Sequence, residues 1–307
     1  MSLLLGYYPD WVEAMPPAKV PYGRYTHLTH SFALFNPDGT LKTPRHAAEF
    51  CRRAHAAKVV PILAVGGAES GPAYSKASTE QLATQITALI QKNGYAGVDI
   101  DWEFPDTPGE PQKLVALAQA LRKRLPKALL TAAVPGSEWN GKHYDATALL
   151  PLLDFVNIMA YDFAGPWSAE SGHNAPYSFC ESSIAYWNRR GWPANKLVLG
   201  LPSYGRGFMT RAFGLKPTGK SPHEYTGFTE VSGLSVENWE RRRDPKEHVP
   251  YLVSRKGNEI ISYDDPESIA LKAALAKKSG LAGCFFWEIT QDDGSLAAAT
   301  KSDFVVK

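Results

Sequence analysis

The chain has 307 residues, 44% hydrophobic and 21% charged, a balance that supports a buried core and excludes a disordered protein. Its 33 Lys and Arg against 31 Asp and Glu leave a net charge of +2, which gives no basis for a DNA-binding surface or a polybasic membrane patch. Aromatic residues make up 11%, and flat rings serve either a large core or the apolar faces of sugars.

In chain order, strand-length apolar runs occupy Leu3 to Tyr7, Leu28 to Phe35, Val59 to Val65, Gly97 to Trp102, Leu129 to Val134, Phe155 to Tyr161, Lys196 to Leu201 and Cys284 to Trp287. Between them lie amphipathic segments. Ser78 to Gln91 places Leu82, Ile86, Leu89 and Ile90 on one helical face, and Gln112 to Leu125 does the same with Leu114, Leu117 and Leu121. A last helix is bounded by Asp265 as N-cap, Pro266 at its first position and Gly280 as its stop. Continuous apolar runs mark parallel strands covered on both faces, so about eight such units predict an α/β fold of the (β/α)8 barrel type. The long gap between the seventh and eighth strands predicts a small α+β insertion over 208–263, leaving 1–207 and 264–307 for the barrel.

Cys51, Cys180 and Cys284 are too few and too widely spaced for a disulfide framework or a zinc pair. No apolar run of roughly 18 residues and no leader-like start is present, so a soluble protein is expected.

The fourth strand carries the chemistry. In Tyr95-Ala96-Gly97-Val98-Asp99-Ile100-Asp101-Trp102-Glu103, the period of two puts Asp99, Asp101 and Glu103 on one face. Neighbours in this row stand roughly 6 to 7 Å apart at Cα, close enough for their ionisation to be coupled. Inward carboxyls cost several kcal/mol each to desolvate unless paired or protonated, so a row of this kind points to function. Glu103, nearest the C-terminal mouth of the barrel, is the natural proton donor. A second carboxylate about 5 to 9.5 Å away across the sugar is the usual glycosidase requirement, and Asp101, on the same wall, does not supply it. A substrate carrying its own nucleophile, the 2-acetamido group of N-acetylglucosamine, resolves this.

These residues resemble glycoside hydrolase family 18, the chitinases and their relatives. The family signature D-G-x-D-x-D-x-E is met by Gly97, Asp99, Asp101 and Glu103. Around it, Gly6-Tyr7-Tyr8, His30-Ser31-Phe32-Ala33, Val65-Gly66-Gly67, Met159-Ala160-Tyr161-Asp162, Tyr204-Gly205-Arg206 and Phe286-Trp287-Glu288 look like family counterparts in order. The resemblance implies retaining, substrate-assisted hydrolysis of β-1,4-linked N-acetylglucosamine polymers. Glu103 would be the acid and then the base, Asp101 would hold the acetamido N–H, Asp99 would hold Asp101 before substrate arrives, and Tyr161 would bond the acetamido oxygen. Trp287 would floor the sugar site, with Tyr7, Phe32, Met159, Asp162, Tyr204 and Arg206 lining it and Trp11 and Gly67 contributing to binding. It further implies chitin or chito-oligosaccharides as partner, no cofactor or metal, no nucleic acid or membrane partner, a monomer, and an extracellular location with the cytoplasm as alternative. A lectin on the same scaffold and an endo-β-N-acetylglucosaminidase acting on glycoprotein glycans are the competing readings.

Two positions depart from the family pattern. Ala96 replaces the first acid of the signature, and Ala68 replaces a Trp that often follows Gly-Gly, removing a stacking platform that Trp11, Trp139 and Trp167 could offset. Three other features are set aside. Gly214 to Ser221 matches the phosphate-loop expression, but Pro222, Tyr225 and Gly227 follow it without a helical period. His27 and His30 face opposite sides of a strand and cannot share a metal. The charge run Glu240 to Asp244 is expected to be a solvated helix face.

Overall fold

The apolar runs fold as parallel strands: β1 (Leu3–Pro9), β2 (His27–Ala33), β3 (Val60–Gly67), β4 (Gly97–Trp102), β5 (Leu129–Pro135), β6 (Phe155–Met159) and β7 (Leu197–Pro202). An antiparallel sheet follows, built from β8 (Tyr204–Phe208), β9 (Thr226–Gly227), β10 (Trp239–Arg243), β11 (Pro250–Ser254) and β12 (Ile260–Ser262) in the order β10-β11-β12-β8-β9. The chain then returns as β13 (Gly283–Trp287), which pairs with β7 on one side and β1 on the other and closes an eight-stranded barrel. The fold is the expected (β/α)8 barrel. This computed structural model describes residues 3–301, 303 and 304; the expected barrel range also includes 1, 2, 302 and 305–307, which lie outside the described residues.

Helices α1 (Ala47–Ala56), α2 (Gly71–Lys76), α3 (Thr79–Asn93), α4 (Glu110–Arg124), α5 (Glu138–Gly141), α6 (Ala146–Leu149) and α7 (Tyr177–Arg189) precede the antiparallel sheet, which holds α8 (Phe228–Gly233). Then come α9 (Pro266–Lys278) and α10 (Ser295–Ala299). The punctuation read for α9 holds: Asp265 accepts from the Ser268 N–H, Ser268 answers in a capping box, Pro266 begins the helix, and Gly280 follows its end with φ +71°.

Two apolar layers result from the alternation along each strand. Leu5, Tyr7, Ile62, Ala64, Phe155, Val198 and Phe285 fill the barrel, while Leu4, Tyr8, Leu63, Val65, Val98, Ile100 and Trp102 belong to the core outside it. The same rule sends His27 onto Phe155 inside and His30 onto Tyr8 and Phe50 outside. All three cysteines are buried and free.

Two expectations need correction. Glu240 to Asp244 is not a helix face: residues 239–243 form β10, the edge strand of the inserted sheet. Its anchor is buried Trp239 and its ladder to β11, and its charges are satisfied locally, Arg241 on the Tyr263 hydroxyl, Arg242 on Glu240 and Arg243 on Asp265. A charged edge also discourages strand addition by another chain. Second, the inserted sheet begins with β8 at Tyr204, ahead of the expected boundary at 208, so Tyr204 and Arg206 project from the sheet. Gly214 to Ser221 lies in the loop between β8 and β9 and enters no helix.

Candidate active site

The parallel register sets Asp99 between Ala64 of β3 and Thr131 of β5, with Asp101 one step nearer the C-terminal mouth beside Gly66. Asp99 is fully buried at the barrel centre. It accepts from Tyr7 Oη at 2.7 Å on Oδ2, and from Thr131 Oγ1 and Asn157 Nδ2 on Oδ1. Asp101 is 3% exposed. Glu103, half-buried, stands just past the end of β4, where Ser70 Oγ donates to the Asp101 carbonyl and accepts from the Glu103 N–H at 3.3 Å, fixing the turn of the chain. Ala96 lies before β4, its backbone bonded to Pro61 and Leu129 at the opposite end of the strand from Glu103.

The three carboxyls differ in proton affinity for identifiable reasons. Burial raises Asp99, but its hydrogen bonds from Thr131, Tyr7 and Asn157 oppose the rise. Burial lifts Asp101 well above the usual range, and the charges of Glu103 and Asp99 and a hydrogen bond with Glu103 add to it. Glu103 is raised to about 7 by burial and by the charge of Asp162, with the Asp101 bond pulling the other way. The inner pair is not arranged as expected: the hydrogen bonds found for Asp99 go to Tyr7, Thr131 and Asn157, and Asp101 turns to Glu103.

Above the row opens a cleft of about 980 Å³. Of the expected residues, Tyr7, Trp11, Phe32, Asp101, Glu103, Met159, Tyr161, Asp162, Arg206 and Trp287 line it. Phe32 links the Trp11 ring (6.0 Å) to the Trp287 ring (5.6 Å) in a stacked series, and Tyr7 meets Trp287 edge-on. Non-proline cis peptides stand at Ser31–Phe32, Glu103–Phe104 and Trp287–Glu288, at three of the strand ends that carry this site.

Asp99, Gly67 and Tyr204 do not line the cleft. Asp99 lies beneath it. Gly67, at φ +91°, supports Phe32, whose ring would stand 2.7 Å from any Cβ placed there. Tyr204 is buried and donates its hydroxyl to Asp162 at 2.8 Å. The rings that sequence could not place, Trp139 and Trp167, are both on the wall, with Phe163, Phe179 and Tyr225, which the sequence reading missed. Phe179 sits in a helix and Tyr225 in a loop of the insertion, where an isolated ring reads as core.

Besides Asp101 and Glu103, Asp162 is the carboxylate among the described residues of the wall, and its Oδ1 is taken by Tyr204 and by Arg206 at 2.8 Å. That pairing leaves it poorly suited to attack an anomeric carbon. Among the described residues no cluster of three or more His, Cys, Asp or Glu is arranged to hold a metal ion.

A closed parallel barrel with a carboxyl of raised proton affinity in a ring-lined cleft at its C-terminal mouth defines a glycoside hydrolase of the barrel class. The model of the glycosyl hydrolases family 18 matches residues 3–292, and the chain belongs to that family, as its motifs imply. A probable endochitinase of Caenorhabditis elegans is 30% identical over 94% of this chain, and mouse (Mus musculus) chitotriosidase-1 is 30% identical over 90%. The chain spans 56% of the first relative's length and 69% of the second's. Among solved structures, the GH18 chitinase from Cycas revoluta in complex with (GlcNAc)3 is 27% identical, with a TM-score of 0.90 over 98% of this chain and 99% of its own. The class V chitinase from Nicotiana tobaccum is 25% identical, with a TM-score of 0.91 over 99% of both chains.

Proposed function

We propose that the protein hydrolyses β-1,4-linked N-acetylglucosamine chains, chitin and its oligosaccharides, with retention of configuration and with the substrate's acetamido group as nucleophile. The observation that carries this reading is Glu103, raised to about 7 at the cleft floor, facing no free carboxylate on the opposite wall among the described residues. In the first step Glu103 protonates the glycosidic oxygen, the bond from that oxygen to the anomeric carbon breaks, and the acetamido carbonyl oxygen closes on the carbon to give an oxazolinium ion. In the second, water gives its proton to the Glu103 carboxylate and attacks the same carbon from the face just vacated, restoring the acetamide.

Asp101, beside Glu103, receives the acetamido N–H and offsets the cationic charge, while Tyr161 bonds the carbonyl oxygen. Trp287 floors the reacting sugar, and Trp11, Trp139 and Trp167 extend the stacking surface along the chain. The crystallised relative with bound (GlcNAc)3 supports the substrate class. An extracellular, monomeric protein belongs to the same proposal; among the described residues no helix is long and apolar enough to cross a membrane.

The test is time-resolved proton NMR of N-acetylglucosamine oligomers, run beside a glycoprotein. The β-anomer is expected first from the oligomers, and Glu103→Gln is expected to bind without cleaving. A first-formed α-anomer would exclude acetamido participation. Glycan release from the glycoprotein with the oligomers intact would select the endo-β-N-acetylglucosaminidase reading, and binding without turnover by the unaltered protein would select the lectin.

A further inference from the structure

Donors from three strands converge on Asp99: Tyr7 of β1 on Oδ2 at 2.7 Å, and Thr131 of β5 and Asn157 of β6 on Oδ1, the latter at 3.1 Å. On the β3 side its register neighbour, Ala64, has no donor to give. Asn157 Nδ2 also donates to Tyr7 Oη at 2.9 Å, so the phenol accepts from Asn157 and keeps its own hydrogen for Asp99. In this orientation Asn157 Nδ2 serves both the phenol and the carboxyl, while its Oδ1 is buried with no hydrogen-bond partner among the described residues. Tyr7, Thr131 and Asn157 are all placed to donate to Asp99, with the Val98 carbonyl a second acceptor 3.5 Å from Thr131 Oγ1, and three donors on one carboxyl favour its ionised form. Asp101, next in the row, has a buried Oδ1 with no partner among the described residues and shares its hydrogen bond with Glu103.

We propose that Thr131 and Asn157 are positioning residues for the proton of the acidic row: they hold Asp99 as a fixed anion at its base, so that the mobile proton stays in the outer Asp101–Glu103 pair. The kinetic part of this rests on the hydrolase reading; the placement of the proton does not. The other titratable groups that bear on the row are the phenols of Tyr7, Tyr74, Tyr144 and Tyr161 and the carboxylate of Asp162, itself held by Arg206. Without the Thr131 hydroxyl, Asp99 Oδ1 is under-solvated in an apolar interior and takes a proton at the expense of Asp101. Asp101 is then an anion beside Glu103, which loses a hydrogen-bond donor and holds its own proton to higher pH.

The experiment uses the full chain with 13C in the aspartate carboxyls, Asp99→Asn and Asp101→Asn assigning the signals. In the unaltered protein the Asp99 signal is expected to stay ionised through neutral pH. In Thr131→Val it is expected to titrate higher by about one pH unit or more, a tenfold or greater gain in proton affinity, with Asp101 moving lower; Thr131→Ser restores the original order. On chito-oligosaccharides, the alkaline limb of kcat/KM is expected to rise by about one unit in Thr131→Val. A merely structural role would lower activity and leave that limb in place. Asn157→Leu, which removes the neighbouring donor, serves where Thr131→Val does not fold. A protonated Asp99 in the unaltered protein at neutral pH, or aspartate titrations indifferent to loss of either donor, would overturn the proposal. Absence of oligosaccharide cleavage by the unaltered protein would sink the hydrolase reading, while the carbon titration would still decide where the proton sits.

Discussion

Arg206 donates to Asp162 Oδ1 from Nε at 2.8 Å, and its guanidinium stands 5.0 Å from the Trp167 ring and 4.9 Å from the Tyr225 ring. One residue of the inserted sheet thus neutralises a carboxylate at the barrel mouth and holds two rings of the cleft wall. Because the Asp162 charge is one cause of the raised Glu103, removing the guanidinium strengthens that field. Arg206→Met is therefore expected to move the alkaline limb of kcat/KM upward. Loss of cation–π contact worth about 0.5–1 kcal/mol is expected to raise KM about two- to fivefold. Kinetics across pH on an oligosaccharide check both; an unmoved or lowered limb would contradict the electrostatic part.

The barrel was readable because runs such as Val60–Gly67 are apolar on both faces, and the acidic row because a period of two leaves no other placement for Asp99 and Asp101. Thr131 and Asn157 carried the same signal and went unread: each is a polar residue at an inward position of an otherwise apolar strand. β10 misled because its five residues hold one apolar side chain, too few to show either period. From their motifs Gly67 and Tyr204 look like lining residues of the pocket, yet each stands one residue removed, behind Phe32 and behind Asp162. Sequence spacing gives a residue's face but not its depth.

In the proposed mechanism Glu103 acts as the acid only when protonated, and its pKa is raised to about 7. Hydrolysis is therefore expected to be sustained on the acid side and to fall about tenfold per pH unit above about 7. Asp162→Asn removes a negative charge that helps hold that proton, so the fall is expected to begin at lower pH. The pH dependence of kcat/KM for the two proteins is the measurement, and an alkaline limb that rises in Asp162→Asn would refute the assignment.

Glu288 follows Trp287 but does not line the cleft, accepting from the Thr290 N–H at 2.6 Å and the Thr290 hydroxyl at 2.7 Å. Burial lifts its pKa from 4.5 to about 7 despite these bonds. A carboxyl raised on folding binds more protons in the native state than in the unfolded one. Its contribution is complete below about 4.5 and is lost as pH rises to about 7, at most about 3 kcal/mol. Glu288→Gln removes this titration, so its stability relative to the unaltered protein is expected to improve between pH 5 and pH 8. Urea midpoints at the two pH values test this, and a parallel loss in both proteins would contradict it.

Lys272 and Asp264 form an ion pair at 2.6 Å with both side chains 1% exposed, and Lys272 also donates to the Ala175 carbonyl while Ser268 donates to Asp264. The pair ties α9 to the end of the inserted sheet and to the loop before α7. Lys272→Met leaves a buried carboxylate without its cation and is expected to cost about 3–5 kcal/mol in urea unfolding. Lys272→Met with Asp264→Leu removes both charges and is expected to recover most of the loss. Equal loss in single and double variants would show that packing, not the unpaired charge, sets the cost.

Trp139 is 80% exposed at the cleft wall, more than any other large apolar side chain among the described residues. A ring so placed adds little to folding, so Trp139→Ala is expected to change stability by no more than about 0.5 kcal/mol. Under the proposed function its use is stacking on a sugar face, worth about 1 kcal/mol, or about fivefold in affinity. That loss is expected only for oligosaccharides long enough to reach the ring, so affinity measured against chain length separates the two roles. A uniform loss from the shortest ligand upward would mean that Trp139 shapes the sugar site next to Glu103. No loss at any length would remove it from the binding surface.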